Sequence, residues 1–112
     1  MPKRLLVLTD RIGRSDDELG RVLTRNFFYS LARAEDRPAS IGFMNEGVRL
    51  TCEGSEVLDD LRLLAEDGVS IKSCGTCLDY LNLKESLAVG EVGTMSESMG
   101  FLFGEGEVVT LA

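Results

Sequence analysis

Arg4-Leu5-Leu6-Val7-Leu8-Thr9 is continuously apolar at its centre, with no alternation between polar and apolar positions. A strand with one wet face alternates. This run instead fits a strand of a parallel sheet, covered on both faces. A parallel sheet needs crossover helices between its strands, and the rest of the chain supplies segments of the right length and period.

A polar loop follows, residues 10–14, with Gly13 inside it. Ser15-Asp16-Asp17-Glu18 fits a capping box with Ser15 as N-cap and Glu18 at N3. Leu19, Val22, Leu23, Phe27 and Leu31 recur at helical spacing, which predicts a helix ending near Glu35, before Pro38. Residues 39–44 read as a second strand and Asn45-Glu46-Gly47 as a turn. Val57, Leu58, Leu61, Leu64 and Ala65 form a second amphipathic stripe, and Gly68 sits where a helix C′ glycine belongs. Residues 69–72 form a third strand that leads into Ser73-Cys74-Gly75-Thr76-Cys77. A short helical stretch at 78–81 and a turn at 83–86 follow. Residues 88–92 make a fourth strand, weakened by Gly90. Thr94-Met95-Ser96-Glu97 is a second capping-box match and opens a helix to about Phe103. Gly104 and Gly106 break it, and residues 108–111 are the last strand. The order β-α-β-α-β-α-β-α-β predicts an α/β fold, a three-layer α/β/α sandwich with a mostly parallel five-stranded sheet, as a single domain over residues 1–112.

Composition narrows the chemistry. The chain of 112 residues carries 19 acidic and 12 basic side chains, a net charge of −7. That balance argues against non-specific affinity for nucleic acid or anionic membrane, since both need a basic face. No apolar run approaches the ~20 residues needed to span a bilayer. The apolar part of residues 1–8 is too short for a signal peptide. The expected location is therefore cytoplasmic, with the three cysteines held as thiols. An odd count argues against a disulfide framework. Histidine is absent, which rules out Ser-His-Asp and Cys-His nucleophiles within the chain.

In an open parallel sheet, sites form at the carboxyl ends of the strands. The loops expected there carry residues 10–15, 45–47, 74–77 and 91–94. The two thiols of Cys74 and Cys77 fall on that edge. Backbone N–H groups at the start of a following helix favour a thiolate and lower its pKa. Lys72 or Lys84 offers further activation. The alternative is that one or both cysteines are small buried apolar residues. Zinc wants four ligands; two clustered thiols, a remote Cys52 and no histidine make no site, so neither a metal nor another cofactor is expected. Disulfide exchange between Cys74 and Cys77 is a closer rival. Cys52, beside Glu53, reads as structural. Asp10 and Asn45 join Gly75 and Thr76 as candidate substrate-binding positions at the strand ends. Asp16 and Asp17 are explained by helix capping, and Asn45 also suits a turn. No phosphate-loop or dinucleotide-binding pattern occurs.

The segments Asp16-Asp17-Glu18-Leu19-Gly20, Glu53-Gly54-Ser55-Glu56-Val57-Leu58, Ser73-Cys74-Gly75-Thr76-Cys77-Leu78-Asp79-Tyr80 and Leu87-Ala88-Val89-Gly90-Glu91-Val92 resemble the DsrE/DsrF-like family. Within it they are most similar to the C-terminal DsrE-like domain of YedF proteins, which are sulfurtransferase-like and associated with selenium metabolism. The resemblance runs from about Leu5 to Met99 and is most specific in the cysteine block. It implies a DsrE/DsrF-like α/β fold, assembly as a homo-oligomer, and sulfur relay through a cysteine persulfide after the third strand. That position maps onto Cys74 or Cys77. Many YedF proteins carry an N-terminal TusA-like carrier domain, which is expected here as a separate partner protein. Position 52 holds cysteine where the family pattern leads one to expect threonine.

The expected function is therefore a sulfur relay. Cys74, fixed at a strand end, accepts the persulfide from a donor protein. Cys77 resolves or relays it, and backbone amides of residues 75–77 hold the anion. The competing expectations are a non-catalytic assembly or binding subunit, and a dithiol redox protein.

Overall fold

The computed structural model describes residues 3–112. Met1 and Pro2, which open the segment read above as too short for a signal peptide, lie outside them. Five strands form one sheet: β1 (Lys3–Val7), β2 (Ser40–Phe43), β3 (Ser70–Cys74), β4 (Glu91–Gly93) and β5 (Glu107–Leu111). Their order is β4-β3-β2-β1-β5, and every pairing is parallel. The sheet expected to be mostly parallel is entirely so. The helices are α1 (Asp17–Arg33), α2 (Leu58–Glu66), α3 (Gly75–Tyr80) and α4 (Met95–Phe103), with 3₁₀ segments at Asn45–Thr51 and Lys84–Ser86.

The strand order explains the layers. From β1 to β4 the chain steps in one direction across the sheet, so right-handed crossovers place α1, α2 and α3 on one face. After β4 it returns to the far side of β1, which puts α4 on the other face. The alternation of strand residues follows this division. Leu5, Val7, Ile41, Phe43 and Ile71 point into the main core with Phe28, Leu61 and Leu64, all of them buried. Leu6, Gly42 and Lys72 face α4. Both faces are thus covered, as the unbroken apolar run of β1 requires. No helix among the described residues is long and apolar enough to cross a membrane.

Four local expectations change. The N-cap of α1 is Asp16, whose carboxylate accepts from the Leu19 N–H at 3.0 Å. Ser15 lies outside, so its box with Glu18 does not form; a charged aspartate serves the same orphan amides and the helix dipole. The helix also stops at Arg33, short of Glu35, because Ala34 turns extended. The expected turn at Asn45 is the start of a full 3₁₀ segment. It lies so close to β1 that a Cβ on Gly47 would stand 2.3 Å from the Val7 carbonyl oxygen. The fourth strand starts later than expected, at Glu91. Gly90 has φ +78, and a Cβ there would meet the Ile71 oxygen at 2.5 Å. Ala88 and Val89 instead donate their N–H groups to the Thr51 carbonyl.

The second capping box forms as read. The Thr94 hydroxyl accepts from the Glu97 N–H at 3.2 Å, and the Glu97 carboxylate accepts from the Thr94 N–H at 2.9 Å. At the other end of α4 the orphan carbonyls are met by Arg4. Its guanidinium, buried on β1, donates to the carbonyls of Gly100, Phe101, Gly104 and Gly106 and lies over the Phe101 ring. One cation thereby closes the C-terminus of α4 and the turn into β5.

Candidate functional site

The cysteines do not sit in a loop. β3 runs through Ser73 to Cys74, and α3 begins at the next residue. The expected boundaries, a strand to Lys72 and a helix from Leu78, both close up on the cysteine block. Cys74 is the last strand residue and the N-cap of α3; Cys77 lies in its first turn. Glycine at 75 keeps this junction close to β4: a Cβ there would stand 3.1 Å from the Val92 side chain, which would have to give by a few tenths of an ångström. Thr76 is exposed.

The two thiols have different surroundings. Cys74 is only 7 % exposed. It lines a cavity of about 50 Å³ between the sheet and α4, together with Gly42, Lys72, Gly93, Thr94 and Glu97. That volume accepts one or two heavy atoms beyond the thiol. Cys77 is half-buried. Its Sγ accepts a hydrogen bond from the Asn45 backbone N–H at 3.1 Å. Asn45 opens the 3₁₀ segment, so no preceding turn claims its N–H. It holds φ +52, a left-handed conformation that asparagine tolerates better than most residues.

Electrostatics correct the expected activation of Cys77. Burial pushes its thiol above the ordinary value, the Asn45 amide pulls it down, and the neighbouring Cys74 thiol pushes it up again. Lys72 and Lys84 do not change this balance, since each is already paired. Lys72 meets Glu97, and Lys84 meets Asp79 at 3.1 Å. The resting form of Cys77 at neutral pH is the thiol.

The end of β3 is locked by a buried hydroxyl chain. Thr51 donates to the Val48 carbonyl at 2.7 Å, so the Ser73 hydroxyl, 2.7 Å from Thr51 Oγ1, is the donor to it. Cys52 is buried beside them, and its thiol donates to the Val48 carbonyl at 3.2 Å. Burial pushes its pKa up first, and Glu53 adds a smaller push in the same direction. The 3₁₀ segment carrying Asn45 is therefore tied to the strand carrying Cys74. Sequence reasoning passed over Thr51 and Ser73. Their signal was a polar residue at the end of each of two segments converging on the cysteines.

Of the candidate site residues, Cys74, Gly75, Thr76, Cys77 and Asn45 come together. Asp10 does not line the Cys74 cavity. It borders a different one, of about 270 Å³, with Arg21, Arg25, Arg49 and Glu53.

No protein-family model matches the chain, and no curated protein matches it. Solved structures do. The YchN protein from E. coli is 21 % identical and superposes with a TM-score of 0.72, over 99 % of this chain and 100 % of its own. A protein of unknown function from Methanobacterium thermoautotrophicum, MTH1491, is 16 % identical with a TM-score of 0.64, over 98 % and 99 % of the two chains. A further protein of unknown function, BT1422 from Bacteroides thetaiotaomicron, gives 16 % and 0.53, over 96 % and 94 %. This chain shares the fold of YchN. At these identities the likeness concerns the fold alone.

Proposed function

We propose that the protein is a sulfur-relay module that carries a persulfide on the Cys74–Cys77 pair. The observation that carries this reading is the asymmetry of the two thiols. Cys77 is half-open and already faces a backbone donor, whereas Cys74 is covered and borders a cavity of about 50 Å³. The YedF-like block Ser73–Tyr80 supports the same chemistry.

The asymmetry favours Cys77 over Cys74 for the exchange with partners. The Cys77 thiolate attacks the outer sulfur of a donor protein's persulfide. A new S–S bond forms on Cys77, the donor's S–S bond breaks, and the departing donor thiolate takes up the proton that Cys77 gives up, leaving as its thiol. No net oxidation occurs. The terminal sulfur of a persulfide is a stronger acid than the parent thiol, so the anion gains most from the Asn45 N–H. Attack by Cys74 on the outer sulfur moves it into the cavity. Attack on the inner sulfur gives a Cys74–Cys77 disulfide and releases hydrosulfide. A TusA-like carrier suits the partner role, with a thiol that can give or take the sulfur.

A second reading rests on the same burial. The covered Cys74 and the raised Cys77 thiol also suit an assembly subunit whose cysteines only pack. Incubation with a cysteine desulfurase and isotopically labelled cysteine separates the two. Loading of one sulfur, lost in Cys77→Ser, is the expected result. If neither cysteine loads and both are alkylated only as fast as the chain unfolds, the assembly reading stands and the relay fails.

A further inference from the structure

Asn45 and Glu46 are the central residues of a turn at the carboxyl end of β2, closed by the Gly47 N–H on the Met44 carbonyl at 3.0 Å. Asn45 holds φ +52 there, a conformation that costs free energy in a residue other than glycine. Such strain persists only where the surroundings enforce it. Rotating the Met44–Asn45 peptide would return Asn45 to negative φ and turn its N–H away from the Cys77 Sγ. The Gly47 bond resists that rotation, because the Met44 carbonyl belongs to the same peptide.

Glu46 supplies a second hold. Its carboxylate accepts from the Arg11 guanidinium at 2.6 Å. Arg11 is itself fixed. Its backbone N–H donates to Thr9 Oγ1 at 3.0 Å, and Asp17 in the first turn of α1 and Asp10 flank its guanidinium at 3.6 and 3.7 Å. Gly20 lets α1 close on it, since a Cβ at position 20 would stand 3.0 Å from the Arg11 Cβ. One half-buried cation thus ties the loop after β1 and the start of α1 to the turn that faces Cys77. The charged groups on the elements around Cys77 are Glu46 and Arg49 on the 3₁₀ segment, Lys72 on β3, Asp79 on α3, and Lys84 and Glu85 beyond it. The influences on the Cys77 thiol are burial, the Asn45 amide and the Cys74 thiol rather than any of these charges.

We propose that Arg11 is a positioning residue for Cys77: by gripping Glu46 it keeps the Asn45 N–H aimed at Sγ. Its part in sulfur exchange rests on the reading of Cys77 as the exchanging thiol, but the contact itself is read by alkylation, which needs no persulfide.

Charge and position predict opposite patterns. By charge alone, Arg11→Ala removes a cation and makes the Cys77 thiolate harder to form, whereas Glu46→Ala removes an anion and makes it easier. By position, both variants free the turn. Both should then raise the alkylation midpoint of Cys77 and slow its alkylation at pH 7 by up to about tenfold, the worth of one hydrogen bond. The double variant Arg11→Ala/Glu46→Ala should raise the midpoint no further than the larger single change. Glu46→Gln, which still accepts from Arg11, should stay near the native midpoint. The side chains of Arg11 and Glu46 are 29 % and 40 % exposed, so the fold should survive their loss, and amide NMR of each variant checks it. In the same spectra, the movement of the Asn45 N–H signal as Cys77 titrates should shrink in both alanine variants. A midpoint that falls or stays put in Glu46→Ala overturns the proposal, and so does an Asn45 signal that still follows Cys77 in full. Failure of Cys77 to load sulfur, with both midpoints raised, would sink the relay and leave the role of Arg11 standing.

Discussion

The backbone N–H of Asn45 points at the Sγ of Cys77 across 3.1 Å. This contact joins the carboxyl end of β2 to the first turn of α3. It also makes the two thiols unequal, because the Cys74 thiol raises the Cys77 pKa while the Asn45 amide lowers it. Replacing Cys74 by alanine removes one raising influence. The alkylation midpoint of Cys77, followed with iodoacetamide across pH, should move down in Cys74→Ala. An unchanged or higher midpoint would show that the thiols do not interact.

Alkaline stability should follow from the same burial. Cys52 and Cys77 both sit above the ordinary thiol value of 9.0 in the folded chain. The unfolded chain therefore releases these protons first. Their contribution to stability is complete below about pH 9 and is lost as pH rises through the folded values. Denaturant unfolding between about pH 8 and about pH 10 should show a steeper decline for the native chain than for Cys52→Ala. Equal slopes would remove Cys52 from the account.

Gly47→Ala should be severe. Its Cβ would lie 2.3 Å from the Val7 oxygen, a backbone atom that cannot swing aside. The expected loss is about 3 kcal/mol or more by chemical denaturation, as for other strained or overpacked sites. Because the 3₁₀ segment must shift, sulfur loading on Cys77 should fall as well. Normal stability in this variant would mean that the segment yields without cost.

Ser73 and Thr51 form a buried donor–acceptor pair. Thr51→Val leaves the Ser73 hydroxyl without its acceptor and should cost about 1–3 kcal/mol. The double variant Thr51→Val/Ser73→Ala should cost less than the sum of the single changes, because no unpaired hydroxyl remains. Additive losses would show that the two hydroxyls act independently.

Arg4→Lys tests the closure of α4. Lysine keeps the charge but cannot fork across four carbonyls. Hydrogen exchange should quicken in residues 100–106 while α1 and α2 keep their protection. Uniform quickening would place Arg4 in the global core instead.

The strands, the helical stripes and the Thr94–Glu97 box were legible because each rests on a period or on side chains close in sequence. The parallel sheet followed from the unbroken apolar run of β1. The errors arose where distant segments meet. Residues 88–89 read as strand, but they answer to the Thr51 carbonyl, and Gly90 meets Ile71. The cysteine block read as a loop because Gly75 is a loop residue by habit, whereas here it gives β4 room. The burial of Cys74 had no local signal. Apart from Lys72 and Ser73, its neighbours in the cavity come from other strands and from α4, more than a dozen residues away in the chain.

The two layers that flank the sheet are unequal in strength. On one side Phe28, Phe43, Leu61 and Leu64 are sealed together. On the other, α4 has no fully buried residue and leaves Met95, Met99 and Phe103 in the open. It is held by Phe101 against Gly42, by the Lys72–Glu97 pair and by the grip of Arg4. So light a seat predicts that α4 detaches below the global unfolding free energy, which faster hydrogen exchange in residues 95–103 than in α1 and α2 would show. Its release bares the cavity beside Cys74 and leaves the opposite core intact. On that prediction the inner thiol answers to a different clock from the outer one: reagents meet the half-buried Cys77 directly and the covered Cys74 at the rate α4 lifts.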